Sequence, residues 1–301
     1  MAMIARQCED VTVTVVDINA ERIAAWESDE LPVFEPELLE TVQAARGRNL
    51  FFSIDVETNI READVIFISV NTPTKTYGVG SGHAADLRYV EICARRIAEI
   101  GGGDKIVVEK STVPVRTAHM VKEILGAAQN GFEYQVVSNP EFLRESTTPN
   151  EDFANQETVV IGTDEDSTYK LTKKMFEKVL LPSSDYYNTS LAEAEMIKCA
   201  QNTMLASRVA LANMIYDACE DNNLEYQKVK EIAFDRFEIL GPYMTQVPGP
   251  DGNRGFGGKC LPKDIRGFST VHDSKIIKEI ISYNNNLRTD LENFLLNYSD
   301  Q

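Results

Sequence analysis

Long apolar runs are missing from this sequence. None approaches the ~18 residues that would cross a bilayer, and the opening MAMIARQCED has neither the apolar core nor the small-residue cleavage site of a secretory signal. The expectation is a soluble, cytoplasmic protein with no membrane partner. Histidine is scarce: His83, His119 and His272 lie far apart, no H-x-x-x-H spacing exists, and no metal is expected. The five cysteines, Cys8, Cys93, Cys199, Cys219 and Cys260, show no paired spacing, which excludes a disulfide framework and suits a reducing compartment. Basic charge is in deficit as well. With 30 Lys+Arg against 47 Asp+Glu the net is −17, a poor basis for gripping a phosphate backbone, so nucleic acid is not an expected partner. A small anion is not excluded, because a few amides and bases can converge locally whatever the global sign.

Internal repeats and low-complexity tracts are also absent, and 43% hydrophobic with 26% charged residues is a globular composition. The 301 residues suit two domains. Over residues 1–187, short β-branched runs alternate with amphipathic segments: VTVTVVD (11–17), a helix from about Ala20, LFFSID (50–55), VIFISV (65–70), a helix over 87–100, KIVVEKS (105–111), a helix from about Val115, YQVVSNP (134–140) and TVVIGTD (158–164). Strands separated by helices predict a parallel, doubly wound α/β sheet. From residue 188 to 301 the pattern is helical. Ser190 and Glu193 form an S-x-x-E capping box, and no Pro or Gly interrupts the run to Glu220. A helix from Glu225 to about Phe237, the Gly/Pro-rich loop GPYMTQVPGPDGNRGFGGKCLPKD (241–264) and a closing helical stretch (276–298) follow. Helices this long leave an apolar stripe to bury, in a homodimer or in an intramolecular pair.

Several residues carry candidate chemistry. Asp17 ends a strand, where a carboxylate can bind the adenosine ribose of NAD and repel a 2′-phosphate; an ordinary strand-end Asp reads the same way. No G-x-G-x-x-G precedes it. Gly101, Gly102 and Gly103 lead into a strand and read as a helix stop. Gly78, Gly80 and Gly82 follow VIFISV in the crevice where doubly wound folds bind ligands, with flexible linkage as the alternative. Glu195, Lys198 and Asn202, at i, i+3 and i+7, share one helix face, which points into a cleft or is simply solvated. Cys260 stands among Gly255, Gly257, Gly258, Lys263 and Asp264 at the start of a helix, a setting that favours a nucleophilic thiolate over an inert thiol.

GFGGKCLPKD (255–264), NPEFLRES (139–146), VEKSTVPV (108–115), ISVNTPTKTYG (68–78) and the Lys198/Asn202 helix together resemble the UDP-glucose 6-dehydrogenases, within the UDP-glucose/GDP-mannose dehydrogenase family, from residue 1 to about 270. The resemblance implies an incomplete Rossmann-like doubly wound parallel sheet (1–187) followed by an all-helical dimerisation domain (188–301). It implies NAD as cofactor, UDP-glucose as substrate and a two-step oxidation to UDP-glucuronate. Cys260 corresponds to the nucleophile that forms a thiohemiacetal and then a thioester. Lys198 and Asn202 correspond to the oxyanion stabilisers, and Asp264 with Lys198 to the groups that handle the alcohol proton. Glu141 corresponds to the base for the hydrolytic water, with Thr112 positioning it and Glu145 as the other candidate. On the cofactor side the resemblance assigns Asp17 and Arg22 to the ribose, Val70, Asn71, Thr72, Pro73 and Thr74 to one crevice loop, Ser111, Thr112 and Val113 to another, and Glu145 and Lys263 beyond. The substrate would meet Glu141, Phe142, Leu143, Arg144 and Glu145, then Lys198 and Asn202, then Arg236, Gly255, Phe256 and Gly257.

The departures are the first strand and glycine loop, the family's C-terminal nucleotide-binding domain, and the sequence DRFEILG, where the family places an arginine shortly before I-G and Arg236 either fills that intersubunit role or leaves it unfilled. They imply a fragment or a degenerate member, whose alternatives are a non-catalytic partner subunit and a dehydrogenase of another nucleotide sugar. Weak NAD binding is expected of these residues, since the pyrophosphate is ordinarily held by amides of the glycine loop.

Overall fold

The computed structural model describes residues 1–142, 156–180, 182–258 and 260–288. Its contacts divide the chain into two units: Met1–Val70 with Arg88–Ser111 and Arg116–Glu195, and Asn71–Leu87 with Thr112–Val115 and Met196–Gln301. The division thus falls between Glu195 and Met196 instead of at 187/188, and two short segments after strands join the second unit.

In the first unit, α1 (Ala2–Gln7) precedes β1 (Val13–Val16), which pairs in parallel with β2 (Leu50–Ser53). Between them come α2 (Ala20–Glu27) and α3 (Leu38–Ala45). Ile4, Val13, Leu38, Val42 and Leu50 pack into one core, flanked by a Trp26–Phe52 stack at 5.6 Å. After α4 (Val56–Glu62), a second sheet runs in chain order: β3 (Val65–Ile68), β4 (Lys105–Glu109), β5 (Tyr134–Ser138), β6 (Thr158–Gly162) and β7 (Asp185–Thr189). The intervening helices are α5 (Arg88–Ile100), α6 (Thr117–Gly126) and α7 (Asp166–Phe176). Val108, Val137, Val159, Ile161 and Phe176 form its core.

The parallel expectation holds for every strand pair except one. β5 and β6 are antiparallel, bridged only at Ser138↔Gly162. Asn139 donates from Nδ2 to the Val160 carbonyl at 2.8 Å, so a side chain supplies a bond that the short ladder does not.

Helix α8 (Leu191–Asp221) opens with the expected capping box: the Ser190 N–H and hydroxyl each donate to Glu193 Oε2 at 2.8 Å, and the Glu193 N–H donates back to Ser190 Oγ at 3.3 Å. In the second unit α9 (Tyr226–Lys230) runs into a π turn, Glu231–Asp235. The buried Lys230 ammonium pairs with Asp235 at 2.8 Å, and wider winding brings residues five apart into register. Then come α10 (Leu261–Val271) and α11 (Lys275–Leu287), the described part of the closing helical stretch. Ala206, Ala210, Phe256, Ile265, Ile277 and Ile281 form this unit's core. No helix among the described residues is long and apolar enough to cross a membrane.

Candidate active site

Cys260 is the N-cap of α10 and is exposed, while Cys8, Cys199 and Cys219 are buried. Its carbonyl accepts the Asp264 N–H at 2.8 Å, closing the first turn, and Pro262 sits within that turn, where a missing N–H does no harm. The same turn carries Lys263 and Asp264 side by side. Asp264 is 6% exposed. Its Oδ2 accepts Asn202 Nδ2 at 2.5 Å from α8, and its Oδ1 pairs with Lys263 Nζ at 3.0 Å. Lys263 Nζ also donates to the Thr112 carbonyl at 2.8 Å and to Thr72 Oγ1 at 3.2 Å, and the Thr72 hydroxyl donates to that carbonyl at 2.9 Å.

Asn202, Asp264, Lys263, Thr72 and Thr112 therefore form one continuous polar chain inside the second unit, beginning one helical turn from the thiol. One hydrogen of Asn202 Nδ2 is committed to Asp264, which fixes the carboxamide. Lys198 lies one turn earlier on α8, half-buried on the same face. Val113 is buried there too, its carbonyl accepting Cys199 Sγ at 3.6 Å. In the neighbouring segment the Pro73 carbonyl accepts the Asp86 N–H at 2.6 Å and Thr74 bridges to Ala85, while the Lys75 N–H donates to the Ala84 carbonyl at 2.8 Å. The loop holding Gly78, Gly80 and Gly82 is thus closed by main-chain bonds.

Glu195 does something different from its expected neighbours on the helix. It belongs to the first unit, where its carboxylate accepts the Ala118 N–H at 2.7 Å and the Arg116 N–H at 2.5 Å. Arg116, the N-cap of α6, has a φ of 77° and no side-chain cap, so the unpaired amides of that helix end draw in an acceptor from α8. Burial, opposed by these amides, pushes the Glu195 pKa up to about 7 from its ordinary 4.5. Between those values the folded state holds a proton that the unfolded state has released, so stability falls as pH rises from 4.5 through 7, by roughly 3 kcal/mol. Glu195→Gln is expected to remove that slope. Urea midpoints at pH 5 and pH 8 test it; equal pH dependence in both proteins excludes the effect.

Asp17 and Arg22 stand together in the first unit, Arg22 Nη1 donating to Asp17 Oδ2 at 3.1 Å and the Asn19 N–H to Oδ1 at 2.9 Å. The Val70 N–H donates to Ser111 Oγ at 3.0 Å, joining the ends of β3 and β4. Glu141 and Phe142 follow β5, both half-buried. Leu143, Arg144 and Glu145 lie outside the described residues. Arg236 ends the π turn, exposed and paired with Glu231 at 2.6 Å. Asn71 opens the first segment of the second unit.

Sequence reasoning passed over Asn213, Asn284 and Arg288, which surround Gly255, Phe256 and Gly257, and Asp217, which holds the neighbouring Arg254. Arg254 pairs with Asp217 and lies over the Tyr216 ring at 4.9 Å. Tyr283 of α11 donates to Asp217, and burial together with that carboxylate pushes its phenol up to about 12, which keeps it a donor. A signal existed: Asn202, Ala206, Ala210, Asn213 and Asp217 fall on one face of α8, small residues bracketed by polar ones.

Residues 1–180 match the NAD binding domain, and residues 192–286 the central domain, of the UDP-glucose/GDP-mannose dehydrogenase family. UDP-glucose 6-dehydrogenase 5 of Oryza sativa subsp. japonica is 43% identical over 286 residues, 94% of this chain and 58% of that protein. UDP-glucose 6-dehydrogenase of Drosophila melanogaster is 42% identical over 287 residues, 94% of this chain and 59% of that protein. The structure of a UDP-glucose dehydrogenase from the hyperthermophilic archaeon Pyrobaculum islandicum has a TM-score of 0.82 at 27% identity, covering 94% of this chain and 65% of that one. The chain thus spans under two thirds of the length of these relatives. With both domain matches in order along it, and the thiol turn falling within the second, the chain belongs to the UDP-glucose/GDP-mannose dehydrogenase family.

Proposed function

We propose that this protein oxidises UDP-glucose to UDP-glucuronate in two steps, with NAD as cofactor. The observation that carries this reading is an exposed thiol heading a helix whose first turn holds the buried Asp264, paired with Lys263 and tied to Asn202. The Asp17 carboxylate at the end of β1 fits the adenosine ribose of NAD, with Arg22 beside it. Val70 and Ser111, joined at the ends of β3 and β4 in the same unit, would contribute to holding that cofactor. When bound, NAD would supply the hydride acceptor for each oxidation. Asp264, with Lys198, takes the alcohol proton through a water. The Cys260 sulfur adds to the aldehyde at sugar C6, and Lys198 and the remaining Asn202 N–H stabilise the oxygen that gains charge. Oxidation of that thiohemiacetal gives a thioester. For the last step the resemblance supplies Glu141 as the base: a water gives up a proton and adds to the acyl carbon, the C–S bond breaks, and the acid and the thiol are released.

Turnover tests the reading: at saturating NAD, UDP-glucose is expected to yield one uronate per two NADH. GDP-mannose and a UDP-N-acetylhexosamine complete the panel. Faster acid formation from either would replace the substrate, and no acid from any would remove the activity.

We also propose a homodimer through α8. Ile197, Met204 and Leu211 repeat every seventh residue and are exposed, as is Met214, a stripe of the kind that pairs with a second helix. Sedimentation at tens of micromolar, on the order used for weak association, is expected to show the dimer; monomer alone refutes it. The cysteine usage supports a reducing, cytoplasmic setting.

A further inference from the structure

The glycine loop before Cys260 is gripped by two buried carboxamides. Asn284 of α11 is 1% exposed; its Oδ1 accepts the Phe256 N–H at 2.7 Å and its Nδ2 donates to the Phe256 carbonyl at 3.0 Å. One side chain thereby satisfies both main-chain groups of one residue, as a neighbouring strand would. Asn213 of α8 accepts the Gly255 N–H at 3.1 Å. Gly255 has a φ of 75°, and a Cβ there would stand 2.5 Å from Asn284 Oδ1, so glycine is required by the backbone and by the carboxamide alike. At Gly257 a Cβ would lie 2.5 Å from Arg288 Nη1, a guanidinium that also pairs with Asp251 at 2.7 Å. The Phe256 ring is sealed in the core with Ile265, Ile277 and Ile281. A buried amide in such a core survives only where it is fully paired, since an apolar replacement would strand the Phe256 N–H and C=O.

We infer that Asn284 is a positioning residue for Cys260: its carboxamide fixes the exit of the glycine loop, and with it where the thiol stands relative to the amides that open α10. The inference rests on the reading of Cys260 as nucleophile. A thiol held at a helix N-terminus gains thiolate character from those amides and the helix dipole, and a thiol whose loop wanders loses it.

Alkylation by iodoacetamide, followed at each cysteine by peptide mass spectrometry from pH 6 to 9.5, reads this without turnover. Cys260 is singled out by exposure, since three of the other thiols are buried and burial raises the pKa of Cys93. The parent protein is expected to titrate at Cys260 below the ordinary ~8.5. Asn284→Ala is expected to raise that midpoint by about half a unit or more and to lower the rate at pH 7 about threefold or more. If it does not fold, Asn284→Ser, which keeps a small polar group and no charge, is expected to shift in the same direction. Ser274→Ala, which removes the cap at the far end of α11, is expected to leave the midpoint in place. An unmoved midpoint in the Asn284 variant, or an equal shift in Ser274→Ala, overturns the positioning role. An ordinary midpoint in the parent protein overturns both that role and the nucleophile reading beneath it.

Discussion

Cys260→Ser is expected to lower uronate formation by at least about 10³-fold while leaving UDP-glucose binding nearly unchanged. A serine hydroxyl is almost wholly protonated at neutral pH and is a far poorer nucleophile than a thiolate, and an ester, once formed, releases its alcohol less readily than a thioester releases its thiol. Capture of the aldehyde and its onward oxidation therefore fail while the earlier alcohol oxidation continues. The geometry makes this a test of chemistry and not of folding. Cys260 is exposed and its carbonyl, not its side chain, closes the first turn of α10, so serine leaves the turn intact. Calorimetry with UDP-glucose and acid quantified by chromatography check the two halves. Uronate formed at the parent rate would falsify the assignment.

The largest effect on stability is expected at Asp264. Asp264→Ala leaves the Lys263 ammonium, 17% exposed, without its carboxylate and Asn202 Nδ2 without its acceptor. Breaking a pair whose carboxylate is buried but whose ammonium keeps some water and two other acceptors destabilises by about 3 kcal/mol, the low end for buried pairs, most of it the penalty of the stranded charge. The double variant Asp264→Ala with Lys263→Met removes the charge as well and is expected to recover a large part of the loss. Urea unfolding of the two single variants and the double variant closes the cycle. If the double variant is as unstable as the sum of the two, the ion pair has no coupling and the polar chain from Asn202 to Thr112 is not a unit.

Local features of the fold were readable from sequence where one residue or one period settles them. The capping box at Ser190 and Glu193 depends on two side chains three apart, and the structure forms each of its bonds. The parallel strands announced themselves as β-branched runs. The antiparallel β5–β6 junction did not, because direction is set by pairing partners distant in sequence, and a run such as TVVIG fits either sense. The site divides in the same way. Cys260, Lys263 and Asp264 lie within one turn and were read together, and Asn202 was placed by helical spacing. Glu195 obeyed the same spacing yet serves α6, since a shared face says nothing of which neighbour covers each end of a helix as long as α8. Asn284 escaped notice because its partner is main chain, and a main-chain partner leaves no mark in the sequence.

The loop that presents Cys260 is held from both sides of the chain, by Asn213 before it and by Asn284 and Arg288 after it. During synthesis these supports do not emerge together. Once Cys260 has left the ribosome, the long helix α8 and Asn213 are already outside, but α11 is still to come. Until residue 284 follows, Phe256 has no partner for its main-chain groups and its ring lacks Ile277 and Ile281 to lie against. The nascent chain therefore carries its thiol on a slack loop and gains the fixed one only when α11 docks, so order of emergence delays the thiol's final setting until this unit's core can close.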